Sequence, residues 1–570
     1  MRPSFVLTTR PQLGSLIFLV LIVAALATAA VLVPPWLEVW FPPIARQNVM
    51  VVILRGARQT YIVLAMVVPV VSLALTVAAI ASRRHRPRPR WLLGAMALTI
   101  ALMLGFAGAE GVSAARLAAM RVPFPRLSTR FPDPPGDRTI DLLILGASSA
   151  RGVPYNDWFS VGEMVAWRLR EALPDRPVTV TDLSRPGQKL DQLHILLGSL
   201  ERRPDLVILY SGHNEFSMRH DWAHGVPHYL DEIPPTRVTP EGWIRAHSWV
   251  CGVIDQTIDL IRQAAPPTRT VARQLVDVPV YTPEEYVERL HDFRLRVEAI
   301  TAYCEGVGAT VVLVIPPGND ADFEPNRSVL PASTPRSERE AFAWEFEAAR
   351  RLEEADPESA AANYRRLLRR QPGFAEVHYR LGRLEERAGR SDEADRHYIA
   401  ARDRDGLPMR CLSDFLEVYR EVAKRHPHAI LVDGPAVLRA ASPSRRSGDE
   451  SFTDGFHPSL IGYAAIGEAI LRAMHTRGVL GWGSSSSIPS LSPEELGRHF
   501  GMDAARWQSV CAYGAWFYRH TADVRFDPSD RLAKADRFQK AGEEIAAGRP
   551  PEELGLPGLG VRRIDARPRP

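Results

Sequence analysis

Apolar and polar positions divide the chain into three regimes. In the first, apolar residues run without a break. Leu13 to Val33 carries no charge, Tyr61 to Ala81 carries none and holds one proline, Pro69, and Trp91 to Ala109 is the third run. Each is long enough to cross the hydrocarbon core of a bilayer. A cleaved signal peptide accounts only for the first, whose apolar part is too long for one. The pattern predicts a membrane region over residues 1–111 with three spanning helices at about 13–33, 61–81 and 91–109. Ser82 to Arg90 holds five arginines and no acid, which keeps that link in the cytoplasm. Arg2 and Arg10 put the N-terminus on the same side; Arg46, Arg55 and Arg58 weigh slightly against it. Everything after about Gly111 is then extracytoplasmic.

In the second regime, short apolar runs alternate with helical periodicity. Residues 112–137 form a linker, proline-rich from Val122 to Pro135. From Thr139 the pattern gives a strand through Gly146, a helical face of Val161, Met164, Val165, Leu169 and Leu173, and strands at Val178 to Leu183 and Asp205 to Tyr210. A helix over Glu284 to Cys304 follows, then strands at Ala309 to Ile315 and Ala429 to Val432. Uninterrupted apolar strands separated by helices predict an α/β fold with a parallel five-stranded sheet. Its two parts are residues 138–335 and 409–480. Between them, at 336–408, Trp344, Ala348, Ala360 and Tyr364 recur as His378, Gly382, Ala394 and Tyr398 after 34 residues. This spacing resembles a pair of tetratricopeptide repeats, which would offer a surface to a protein partner; an ordinary helical hairpin insertion is the alternative.

The third regime begins at the hinge Ser484 to Ser487, continues as a helical segment over 488–548, and ends in a loose Pro-, Gly- and Arg-rich tail at 549–570. Net charge is only +4, with basic residues spread along the chain, so no nucleic-acid partner is expected. Cys251, Cys304, Cys411 and Cys511 match no metal or redox spacing. They are read as free thiols or one or two disulfides. His220, His224 and His228, with Asp221, are spaced for a helix-borne metal site, but Gly225 and Pro227 interrupt any helix there. The long insertion from Phe216 to Thr282 is read instead as a lid or substrate loop.

The candidate chemistry lies where strands end. In a parallel sheet, ligands bind beyond the carboxyl ends of the strands. The first strand runs into Gly146-Ala-Ser148-Ser149, the second into Asp182-Leu-Ser-Arg-Pro-Gly187, and the third into Ser211-Gly-His-Asn214-Glu215; after the fifth comes Thr453-Asp454-Gly-Phe-His457-Pro. A serine hydroxyl needs a base to become a nucleophile, and His457 is suited to that near neutral pH. Asp454, three residues earlier, can fix the imidazole tautomer. The backbone N–H groups of Ser148 and Gly187 and the amide of Asn214 can stabilise an oxyanion. The structural alternatives are turn roles for Gly187 and Asn214, a helix cap for Asp454 and a surface position for His457.

Ser148, Gly187, Asn214 and His457, in that order, resemble the four blocks of the SGNH (GDSL-type) hydrolase superfamily. The similarity covers about Thr139 to Asp320 and Met409 to Thr476. It implies a three-layer α/β/α sandwich of flavodoxin-like order and ester or acyl chemistry without a metal or other cofactor. The departures are Ala147, where the family has aspartate, and Glu215, where it has aspartate after the asparagine. Ser149 is a rival nucleophile that the block spacing disfavours. The expectation is a multi-pass membrane protein whose serine esterase or acyl hydrolase unit acts outside the cytoplasm, in a bacterial envelope, on an ester or an acylated glycan or lipid. O-acyl transfer to an envelope glycan and a non-catalytic repeat scaffold are the alternatives.

Overall fold

The computed structural model describes residues 43–81, 90–120, 124–131, 139–216, 244, 248–263, 281, 283–331, 334–483 and 487–561. The apolar run Leu13 to Val33, most of the arginine-rich link, the His220/His224/His228 cluster and residues 484–486 lie outside them. The chain forms two units, Met1–Val122 with Ile233–Thr268, and Pro123–Glu232 with Arg269–Pro570.

In the first unit, α1 (Pro43–Ala81) and α2 (Arg90–Met120) contain the stretches Ile53–Ala78 and Gly94–Ala115. Among the described residues these two are long and apolar enough to cross a membrane; three were expected, and the first falls outside. Both helices outrun the expected spans. No proline falls between Pro43 and Pro69, so the segment holding Arg55 and Arg58, which lies between the first two expected spans, is helical. The alanine-rich stretch after Gly111 likewise carries α2 to Met120, into the expected linker. Helix Trp249–Gln263, from the insertion read as a lid, belongs to this unit. Glu110 anchors it by accepting from Ser248 Oγ (2.6 Å), Trp249 N (2.7 Å) and Val250 N (3.2 Å), and from Tyr61 Oη (2.5 Å). A carboxylate there satisfies the orphan donors of a helix start.

The second unit is built on one parallel sheet: β1 (Ile140–Gly146), β2 (Val178–Asp182), β3 (Leu206–Tyr210), β4 (Thr310–Ile315) and β5 (Ile430–Asp433), ordered β2-β1-β3-β4-β5. Leu142 lies opposite Val180 and Leu206, and Val312 opposite Ile430. Side chains alternate between two cores, as the period of two demands. Leu142, Ile144, Ile208, Val312 and Val432 face one core; Leu143, Leu145, Val207, Leu209 and Leu313 face the other. Each fully buried aliphatic side chain contributes roughly 1.5–3 kcal/mol. The first core is covered by α4 (Val161–Ala172), α12 (Gly434–Ala441) and α13 (Leu460–Thr476); the second by α5 (Leu190–Leu197), α6 (Pro283–Gly306) and α11 (Ser413–Arg425). Strand order reverses between β1 and β3, which opens the crevice where such sheets bind ligands.

Residues 336–403 form α7 (Arg336–Leu352), α8 (Pro357–Arg370), α9 (Ala375–Arg387) and α10 (Ser391–Asp403). The second helix of each pair follows the 34-residue spacing: Ala360, Tyr364, Ala394 and Tyr398 are all buried, and Gly382 admits the Tyr398 ring. The first helices do not follow it. Trp344 is 75% exposed, and Ala348 is exposed. Helix α7 packs instead through Phe342, Phe346 and Ala349, which stand 35 residues before Val377, Leu381 and Leu384 of α9. An aromatic that matches a repeat position in sequence has thus rotated to solvent, because Phe342 and Phe346 already fill the interior.

After the sandwich come α14 (Pro493–His499), α15 (Ala504–Ala522) and α16 (Ser529–Ala546). Ion pairs tie this segment inward, two of them buried: Arg525 to Glu376 (3.2 Å) and Arg531 to Glu324 (3.3 Å), with Lys534 to the half-buried Asp449 (2.8 Å). Their worth lies less in net stability than in the cost of leaving one partner buried alone. The tail expected to be loose packs as far as Val561: Leu559 is fully buried, and Gly558 O accepts from Thr453 Oγ1 at 2.9 Å. Residues 562–570 lie outside the described region.

Candidate active site

Four of the five strand ends supply the residues singled out by sequence. Directly after β1 the chain turns at Gly146, Ala147 and Ser148. A β-carbon on Gly146 would stand 2.2 Å from Ala150 Cβ and 2.5 Å from Tyr210 O, so only glycine fits under this turn. Ser148 opens the four-residue helix α3 (Ser148–Arg151). Its Oγ lies 2.7 Å from His457 Nε2, and His457 Nδ1 lies 2.6 Å from Asp454 Oδ2. All three residues are buried.

The loop that carries the pair is tightly closed. Asp454 Oδ1 accepts from the backbone N–H of Phe456 and of His457, both at 2.9 Å. Thr453 N donates to His457 O (2.9 Å), and Ser459 N to Ser451 O (2.9 Å). Ser459, not Asp454, caps α13. Asp454 is therefore free to face the imidazole: Nδ1 carries its proton toward the carboxylate, and Nε2 is left to accept from Ser148. Ser149 points elsewhere, its hydroxyl donating to Phe456 O at 3.1 Å.

Gly187 sits at φ +79° in the loop after β2, a left-handed conformation that suits glycine. Asn214, after β3, is buried and donates from Nδ2 to Gln188 O at 3.0 Å, which holds that loop against the β3 end. Among the described residues the backbone N–H groups of Ser148 and Gly187 donate to no backbone carbonyl. Glu215 uses its longer side chain to accept from Leu190 N at 3.1 Å, at the start of α5. Burial pushes its carboxyl up to about 7. Ala147, with no side-chain cap, leaves the serine turn to be held by the close approach at Gly146 and by the hydrogen bond from Arg151 N to Ala147 O (2.9 Å).

Three contributors were not singled out by sequence. Asn319, beyond the end of β4, donates from Nδ2 to Asp454 O (3.0 Å) and to Asp449 Oδ1 (2.9 Å), and its N–H donates to Gly455 O (2.9 Å). The signal available was position alone: it follows the one strand end left unassigned. His213 accepts at Nδ1 from Cys411 N (3.1 Å) and packs on Phe456. Burial, then the nearby His457, Arg402 and Arg410, push its pKa down to about 3, so it stays neutral. Tyr513, on α15, places its hydroxyl 3.2 Å from Asp454 Oδ2 and 3.1 Å from His457 Nδ1. It lies in the aromatic-rich stretch from Trp507 to Tyr518, whose role no sequence pattern disclosed.

No group of His, Cys, Asp and Glu that could hold a metal ion occurs among the described residues. The four cysteines are buried free thiols. The fold and site together define an α/β protein with a Ser-His-Asp constellation at the carboxyl edge of a parallel sheet. No protein-family model and no curated protein matches the sequence. Similar solved structures include a lipase/acylhydrolase from Enterococcus faecalis, at 13% identity over 62% of this chain and 99% of that one, with a TM-score of 0.26. Another is an acetyl xylan esterase from Geobacillus stearothermophilus, at 12% identity over 59% and 94%, with a TM-score of 0.28. Superpositions this partial carry no functional argument, which rests on the site itself.

Proposed function

We propose that this chain is a membrane-anchored serine esterase or acyl hydrolase of SGNH type acting outside the cytoplasm. The observation that carries the reading is the continuous run from Ser148 Oγ through His457 to Asp454, at 2.7 and 2.6 Å. Such contacts are within the reach that proton transfer needs. Ser148 Oγ attacks the ester carbonyl carbon while its proton passes to His457 Nε2. The backbone N–H groups of Ser148 and Gly187 and the Asn214 amide are the oxyanion donors in this reading; the bond from Asn214 Nδ2 to Gln188 O orients that amide at the strand edge. Collapse of the tetrahedral intermediate breaks the ester C–O bond, and His457 returns the proton to the leaving alkoxide. Water then attacks the acyl carbon, giving its proton to His457; the bond from that carbon to Ser148 Oγ breaks, the acid leaves, and His457 returns the proton to Ser148.

Anchoring is supported by the two apolar stretches in α1 and α2, and orientation by the arginine-rich link between them. Fluorophosphonate labelling of the full-length protein in detergent, with the adduct mapped by mass spectrometry, tests the reading. The expected adduct is on Ser148, together with turnover of short acyl esters. An unlabelled Ser148 and no turnover would refute it and favour a non-catalytic scaffold.

A further inference from the structure

The Asp454 carboxylate receives four hydrogen bonds. Oδ1 takes two from backbone N–H groups of its own loop; Oδ2 takes one from His457 Nδ1 and one from the Tyr513 hydroxyl. Those four bonds match the acceptor sites an ionised carboxylate offers. Three come from residues near Asp454 in sequence. The fourth comes from α15, a helix outside the sandwich. Burial, followed by the Asp454 charge, raises the Tyr513 pKa well above the ordinary tyrosine value, so the phenol keeps its proton and donates it. His457 Nδ1 is itself a donor to Asp454, which directs the phenolic hydrogen to the carboxylate although both atoms lie within reach.

The ring is held in place. Tyr513 packs on Trp516 at 5.8 Å and on Phe517 at 6.2 Å, while Phe517 also meets Phe456 and the His457 ring. Other ionisable groups around the pair are His213 from the β3 loop, with Arg402 and Arg410 beyond it, and Tyr463 and Tyr518, which feel the Asp454 charge from α13 and α15.

Building on the hydrolase reading of Ser148, we propose that Tyr513 is a positioning residue of the site: its hydroxyl fills the last acceptor position of Asp454, fixing the carboxylate against the imidazole and moderating its basicity. The C-terminal helices would thus complete the reaction centre, in addition to shielding it.

Tyr513→Phe in the full-length protein tests this, because the ring keeps its packing and only the hydroxyl is lost. Without that donor Asp454 is more basic and holds the imidazolium more strongly. The acid limb of kcat/KM against pH should therefore move up by about half to one pH unit, kcat should fall roughly threefold to thirtyfold, and KM should stay within about twofold, since the hydroxyl touches no substrate. Val510→Ala cuts the buried packing of the same helix and removes no donor from Asp454; it should lower Tm and leave the acid limb in place. A Tyr513→Phe enzyme with an unmoved limb, or a Val510→Ala enzyme whose limb moves equally, overturns the positioning role while the hydrolase reading stands. Wild-type protein that neither labels at Ser148 nor turns over esters overturns the hydrolase reading and this proposal with it.

Discussion

Asp454→Asn separates a catalytic from a purely structural aspartate. Asp454 does two things: Oδ1 holds the loop through the N–H groups of Phe456 and His457, and Oδ2 faces His457 Nδ1 at 2.6 Å. Asparagine keeps the shape, and its single carbonyl oxygen can continue to hold both backbone donors. Its amide then faces Nδ1 as a donor. His457 answers by moving its proton to Nε2, the atom that must accept from Ser148. An imidazole in the wrong tautomer costs about ten-thousandfold in kcat, or about 5.5 kcal/mol of transition-state stabilisation. The loop keeps its backbone bonds, so Tm should change little. Steady-state hydrolysis of a short acyl ester, alongside the rate of fluorophosphonate labelling, reads the effect. An Asn variant that folds and retains activity within tenfold of the wild type would refute the reasoning and leave Asp454 as a loop brace.

Three further outcomes are expected. Ser148→Ala should abolish labelling and turnover, whereas Ser149→Ala, which loses a hydrogen bond to Phe456 O and none to His457, should keep activity within a few-fold; the reverse pattern would reassign the nucleophile. Glu215 carries a folded-state pKa raised to about 7, so it favours the folded state at pH below its ordinary carboxyl value and loses that contribution as pH rises through 7. Glu215→Gln should therefore be more stable than the wild type at pH 8 by about 1–3 kcal/mol and lose the advantage near pH 4, read as denaturation midpoints at the two pH values; no crossover would show that Glu215 is not protonated on folding. Gly146→Ala forces a β-carbon onto Ala150 and Tyr210 O and should destabilise by about 1–3 kcal/mol, measured by thermal melting, with Ser148 labelling slowed in the fraction that folds.

The sheet was legible because its information is local. Leu142 to Leu145, Leu206 to Leu209 and Val311 to Ile315 are short, uninterrupted apolar runs that suit a strand buried on both faces, and all are buried. Parallel strands with helical crossovers then bring their carboxyl ends to one edge. Ser148, Gly187, Asn214 and the Asp454–His457 loop could be placed there from chain direction alone. Local pattern also misled. Trp344 fits a repeat by spacing yet faces solvent, and the charged segment around Arg55 and Arg58 looks like a loop yet continues a helix.

By itself, then, the sequence determined the strand-helix alternation, the order of the strand-end blocks, and the apolar stretches that set the first unit apart. Only the tertiary structure decided which serine faces His457, that Asn319 pins the Asp454 loop, and that Tyr513 reaches the carboxylate from a helix beginning 50 residues after it. The physical reason is range. Strand and helix periods are written by neighbours a few positions apart. A hydrogen bond across 59 residues depends on how whole elements pack, and leaves no period in the chain.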